Sequence, residues 1–185
     1  MLEIVYDDNG KILEGTLIKY YEDGKILSET PYKNGMINGT VVEYYYSGIV
    51  SSKSEYVDDV LNGTTYVYYN SGVVSEEIPY RNGRINGIKK RFFESGAIAE
   101  EASYSRDILD GEVKTYDLNG NVIDTKYFRK GETIEKEDVG KLRAQLEKDK
   151  DRIFKWWRDE KIAIITAFMH IWANILTIDN VSFYR

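Results

Sequence analysis

The chain has 185 residues, 42% hydrophobic and 30% charged, with 16 Tyr, 15 Gly, 2 Pro, one His and no Cys. This is a globular composition, not a disordered one. The missing Cys excludes disulfides, thiolate nucleophiles and thiolate metal sites, and a single His leaves no His-rich metal centre. The net charge of −6 sits in residues 1–131, where 21 acidic side chains face 15 basic ones; residues 132–185 carry ten of each. An acidic body repels phosphate backbones, so general nucleic-acid binding is not expected.

The amino terminus, MLEIVYDDNGK, has neither a basic n-region nor an apolar h-region. No secretory signal is expected, and with the missing Cys this points to the cytoplasm.

From Gly15 onward the chain repeats. Glycine recurs every 24 residues at 15, 39, 63, 87 and 111, and again nine residues later at 24, 48, 72, 96 and 120. A third phase reads Gly35, Asp59, Gly83, Asp107, Gly131. Side chains keep step: Tyr20, Tyr44, Tyr68, Phe92, Tyr116; then Ile26, Val50, Val74, Ile98, Val122; then Tyr32, Tyr56, Tyr80, Tyr104, Phe128. An aliphatic residue precedes each new unit, at Leu13, Ile37, Leu61, Ile85 and Leu109. Gly10 belongs to a shortened first unit. A fixed period of this kind marks a repeat architecture.

Aromatic and β-branched residues between Gly turns favour strands over helices. Each unit therefore reads as a β-hairpin, and Asn34-Gly35 and Asn82-Gly83 supply the positive φ angles of tight hairpin turns. Five units predict about ten antiparallel strands in one elongated, single-layer sheet over residues 1–131. Tyr21, Tyr45, Tyr69 and Phe93 follow the first aromatic series by one residue, so alternation sends them to the opposite face. Both faces then carry aromatics, and something must cover at least one of them.

The run EGTLIKYYEDGKILSETPYKNGMINGTVVEYYYSG (14–48) resembles the bacterial variant of the MORN repeat, as found in YwqK-type antitoxin proteins. The YY-x-x-G and Y-x-N-G-x-x-x-G elements carry the resemblance, which covers about residues 6–131. It implies a non-catalytic protein-interaction module, antitoxin-like or an effector-binding scaffold, whose partner is a toxin or effector from an adjacent gene. It brings no catalytic residue. Asp59 and Asp107 depart from the pattern where Gly is usual, and Asp117 replaces the second aromatic of unit five, which reads as a terminal, less packed unit.

Beyond Gly131 the composition changes. Residues 132–185 are read as a helical segment, with an apolar stripe at Val139, Leu142, Leu146, Ile153 and Trp157. Between Lys161 and Asp179 lie seventeen residues without a formal charge, the lower edge for crossing a bilayer. Trp156 and Trp157, flanked by Lys155, Arg158 and Lys161, resemble an interfacial anchor. Against this, Thr166, His170, Asn174 and Thr177 form a polar stripe, which fits a helix packed on protein with one wet edge. Docking of this helix on the sheet or a partner is the preferred expectation, with membrane tethering by 162–178 as the alternative and self-association through the same helix as a complication. The candidate docking or partner-binding surface is Tyr21, Tyr45, Tyr69, Phe93, Trp156, Trp157, Phe168 and Trp172.

Chemistry is sparse. His170 has no carboxylate among its helical neighbours, and Glu76, Glu100 and Asp124 share a phase that repetition generates by itself. The basic knot Arg81, Arg84, Lys89, Lys90 and Arg91 reads as solvated surface. No phosphate-binding loop, dinucleotide fingerprint or calcium loop is present. No cofactor, no metal and no enzymatic activity are expected.

Overall fold

The computed structural model describes residues 4–138, 140–141 and 144–158. The chain divides into two units, Met1–Glu135 and Lys136–Arg185. The first is mainly β: one open antiparallel sheet of repeated hairpins.

Fifteen strands run in chain order: β1 (Val5–Tyr6), β2 (Ile12–Tyr20), β3 (Ile26–Lys33), β4 (Met36–Ile37), β5 (Gly39–Tyr44), β6 (Val50–Val57), β7 (Val60–Leu61), β8 (Gly63–Tyr68), β9 (Val74–Arg81), β10 (Arg84–Ile85), β11 (Gly87–Phe92), β12 (Ile98–Ser105), β13 (Ile108–Tyr116), β14 (Val122–Arg129) and β15 (Glu132–Ile134). The path is β1-β2-β3-β5-β6-β8-β9-β11-β12-β13-β14-β15, with β4, β7 and β10 paired to β3, β6 and β9. The count exceeds the expected ten because β1 and β15 add a strand at each end and three returning strands split, the splits having a local reason. Where Asn38, Asn62 or Asn86 precedes the glycine, the returning strand splits into a two-residue and a six-residue piece. Where Glu14 or Asp110 precedes it, β2 and β13 each run unbroken for nine residues.

The register explains the repeat. Each phase-one glycine lies directly opposite a phase-three aromatic: Gly15↔Tyr32, Gly39↔Tyr56, Gly63↔Tyr80, Gly87↔Tyr104 and Gly111↔Phe128. A ring thus faces a residue without a side chain. Each first-series aromatic faces a β-branched residue across its hairpin, as in Tyr20↔Ile26 and Tyr68↔Val74, a pairing that stabilises sheets.

The hairpin turns split into two edges. On one edge, residues 34–35, 58–59, 82–83, 106–107 and 130–131 all have φ between 50° and 87°, the signature of type I′ turns. Asp59 and Asp107 therefore keep the turn rather than breaking it. Each turn's second residue donates its N–H to the aliphatic carbonyl of the preceding unit, for example Asp59 to Ile37 (2.9 Å) and Gly83 to Leu61 (2.8 Å). The aspartates add the reverse bond, with Oδ1 of Asp59 accepting from the Ile37 N–H (2.6 Å) and Oδ1 of Asp107 from the Ile85 N–H (2.7 Å). A short polar side chain that tolerates positive φ and reaches a backbone group is what Asp offers there.

Burial is shallow. The buried hydrophobics are Ile78, Ala99 and Ala102, and no side chain among the described residues is fully buried. The sheet extends through β15, where β-branched Thr133 and Ile134 pair with Phe128 and Tyr127 across the turn at Gly131, and the first unit ends at Glu135. Residues 136–138, 140–141 and 144–158 are helical. No helix among the described residues is long and apolar enough to cross a membrane, and the segment 162–178 lies outside the described residues.

Two glycines separate strain from space. At Gly111 (φ 127°) an added Cβ would come within 2.8 Å of Ser103 Cβ, whereas at Gly120 (φ 82°) it would meet nothing within 4 Å. Gly120→Ala is expected to cost about 1–2 kcal/mol from backbone conformation alone. Gly111→Ala adds overpacking of about 1–3 kcal/mol. Urea unfolding checks the order, and equal losses would contradict it.

Candidate interaction surface

The second turn edge carries the residues singled out as a surface. Each turn here has the same frame: Tyr21 donates its N–H to Lys25 O (2.8 Å) and accepts from the Gly24 N–H (3.0 Å), and Tyr45, Tyr69 and Phe93 open their turns in the same way. All four side chains are half-buried. Their phenols reach across to the next unit: Tyr21 Oη donates to Tyr44 O (2.8 Å), Tyr45 Oη to Tyr68 O (2.5 Å) and Tyr69 Oη to Phe92 O (2.7 Å). Phe93 has no hydroxyl, so the series stops there. These tyrosines thus spend their polar tips on holding the array together and present only ring surface outward.

The last turn on this edge replaces the aromatic with Asp117, and Asp7 opens the β1–β2 turn at the opposite edge in the same way. Asp117 Oδ1 accepts from the N–H groups of Asn119 and Asn121 (both 2.9 Å), and Asp7 Oδ1 accepts from those of Asn9 (2.9 Å) and Lys11 (2.8 Å). The Asp117 turn, with no further unit ahead to staple, caps itself.

Between the first two staples lies a cluster that spacing alone did not single out. Tyr21 and Tyr46 rings meet edge-on at 5.3 Å, Lys25 Nζ sits 3.7 Å above the Tyr46 ring, and Tyr46 Oη donates to Asp23 Oδ2 (2.8 Å). The Tyr46 phenol, aided by Lys25, holds the Asp23 carboxyl below the usual carboxylate range. The Asn121 amide does the same for Asp117. On the sheet, burial and the neighbouring Glu29 push the Tyr44 phenol up, and a hydrogen bond to Glu101 (2.7 Å) pushes Tyr116 up.

The carboxylate series resolves into ion pairs. Arg91 lies between Glu76 and Glu100 in register and bonds Glu100 at 3.2 Å, Lys89 takes Glu76 at 3.0 Å, and Lys126 approaches Asp124 at 3.8 Å. Lys90 likewise pairs with Glu77 at 3.9 Å. Three of the five basic-knot residues are thereby neutralised on the sheet, while Arg81 and Arg84 stand apart at the type I′ edge. Among the described residues no group of acidic and His side chains could hold a metal.

Trp156 and Trp157 lie on the helix of the second unit, 63% and 52% exposed, near exposed Leu146, Ile153 and Phe154. Phe168, Trp172 and His170 lie outside the described residues.

Two predictions come from this edge. Tyr45→Phe and Tyr69→Phe should each cost about 0.5–1.5 kcal/mol, and Phe93→Tyr should add a staple to Tyr116 O of similar size, all read by urea unfolding. A neutral Phe93→Tyr would contradict the stapling role. The second concerns acid. A folded-state carboxyl held low stabilises above the unfolded-state value, and that stability is lost as pH falls through the folded one. NMR titration should find Asp23 below the ordinary carboxylate value and raised in Tyr46→Phe; an unmoved midpoint would contradict the assignment.

A search among curated proteins finds no match. The family of the MORN repeat variant matches residues 13–34, 37–58, 61–82, 85–106 and 109–130. These five segments coincide with the five hairpin units, each starting at the aliphatic residue of the inter-unit turn bond, and they cover more than half of the chain. The chain therefore belongs to the MORN repeat variant family.

Proposed function

We propose that the chain is a non-catalytic scaffold that binds a protein partner along its repeat sheet, the partner being a toxin or effector encoded beside it in the cytoplasm. The observation that carries this reading is the shallow burial: a fifteen-stranded sheet in which no described side chain is fully buried. Half-buried Tyr rows recur once per unit on such a sheet, and Tyr supplies large contact area at low rotamer cost. Arrays of this family generally bind proteins or membranes, which supports the reading. The toxin-neutralising role rests on the resemblance of residues 14–48 to antitoxin repeats.

A standard interface covers about 800 Å² per partner, or 20–30 residues, and so would span several units. Hydroxyl-radical footprinting of the full chain, with and without the adjacent-gene product, reads this through Tyr32, Tyr56, Tyr80 and Tyr104. Reduced modification of at least three consecutive members is expected. Absence of a complex, or protection confined to the helix at 144–158, would overturn the proposal.

A further inference from the structure

Between two neighbouring type I′ turns a pocket of about 600 Å³ opens, lined by Arg81, Asn82, Arg84, Asn86, Ser105 and Arg106. That volume lies within the range of small-ligand sites, but the lining is polar where such sites are mostly apolar. The turns are fixed against each other by the Asp107 N–H to Ile85 O bond (2.9 Å) and its reverse from Ile85 N–H to Asp107 Oδ1 (2.7 Å). Arg84 Nε approaches Asp107 Oδ2 at 4.0 Å. Arg81 and Arg106 make no ion pair or side-chain hydrogen bond among the described residues. Three guanidinium groups against one carboxylate leave a local charge of +2 on a chain whose net charge is −6.

The repeat supplies its own control. One unit-pair earlier, Asn38 and Asp58 occupy the places of Asn86 and Arg106, and the Asn38 amide donates to Asp58 Oδ1 at 2.8 Å. At the first such edge Glu14 accepts from the Asn34 N–H at 3.2 Å. A carboxylate thus closes both positions. At 86 and 106 no carboxylate remains, as at Asn62 and Asn82, but here the second position carries a guanidinium. Arg84 likewise stands where the other units carry Ile12, Met36, Val60 and Ile108, and the terminal β15 carries Glu132. Repetition does not generate this cluster.

We propose that this pocket binds a soluble phosphate-class oxyanion, free or carried on a small molecule, which takes the place of the Asp58 carboxylate. Guanidinium forks match phosphate oxygens two at a time, and a dianion balances the local +2 where a single carboxylate would not. The site is independent of the protein-binding reading above. Because the arginines are exposed, binding is screened as the Debye length falls from about 10 Å at 0.1 M salt to about 3 Å at 1 M.

The test uses full-length protein and inorganic pyrophosphate, followed by arginine Nε–Hε NMR. Saturable shifts at Arg81, Arg84 and Arg106 are expected in 0.1 M salt, weakened at least about 10-fold in 1 M. Arg106→Asp, which restores the closed pattern of Asn38 and Asp58, should abolish the shifts without lowering the unfolding midpoint. Arg91→Gln, at an arginine already paired on the sheet, should leave them intact. No saturation below about 10 mM (an affinity weaker than about 3 kcal/mol), unchanged binding by Arg106→Asp, or binding only to phosphatidate-containing vesicles would each overturn the proposal.

Discussion

Everything in the repeat unit follows from its lack of a deep core. With Ile78, Ala99 and Ala102 as its buried hydrophobics, the sheet cannot rely on the packing that holds a two-layer domain. Cohesion comes instead from contacts between successive hairpins, in which each unit touches only its neighbours. The strand ladders supply part of it. The two turn edges supply the rest: second-residue N–H groups bond back to the previous unit on one side, and tyrosine phenols reach forward to the next on the other. Both edges bond backbone carbonyls that an isolated hairpin would leave to water.

Coupling of this sort has to end somewhere. On the staple edge the interior turns open with an aromatic, which bonds the next unit wherever it is Tyr, whereas the last opens with Asp117, which bonds the N–H groups of its own turn. The position thus changes chemistry at the turn that no further unit follows. Asp59 and Asp107 follow a related logic at the other edge, where a turn residue that could be Gly instead adds a second bond to the preceding unit.

Hairpins and their glycine turns were legible because period, glycine phase and aromatic phase are backbone requirements written at fixed intervals, and the register then gives the reason for the phases. Gly39 facing Tyr56 is one such requirement, since the register places a ring opposite a residue without a side chain. The break at Asn38, Asn62 and Asn86 was not legible, because it depends on one residue beside the glycine and not on the pattern. Nor was the pairing of Tyr45 with a carbonyl 23 residues away, since a phenol's partner is decided only once units stack. Of the basic knot, Lys89, Lys90 and Arg91 find carboxylates across strands, while Arg106, distant in sequence, joins Arg81 and Arg84 through the turn stack. Charge counted along the chain does not contain that juxtaposition.

Native-state amide hydrogen exchange along the full-length chain tests the nearest-neighbour account most directly. If stability is carried from unit to unit, opening begins at the ends, and protection rises from β1 and β15 toward the interior strands β6–β9. Slowest exchange at a terminal hairpin, or one uniform opening free energy shared by every strand from β1 to β15, would contradict it.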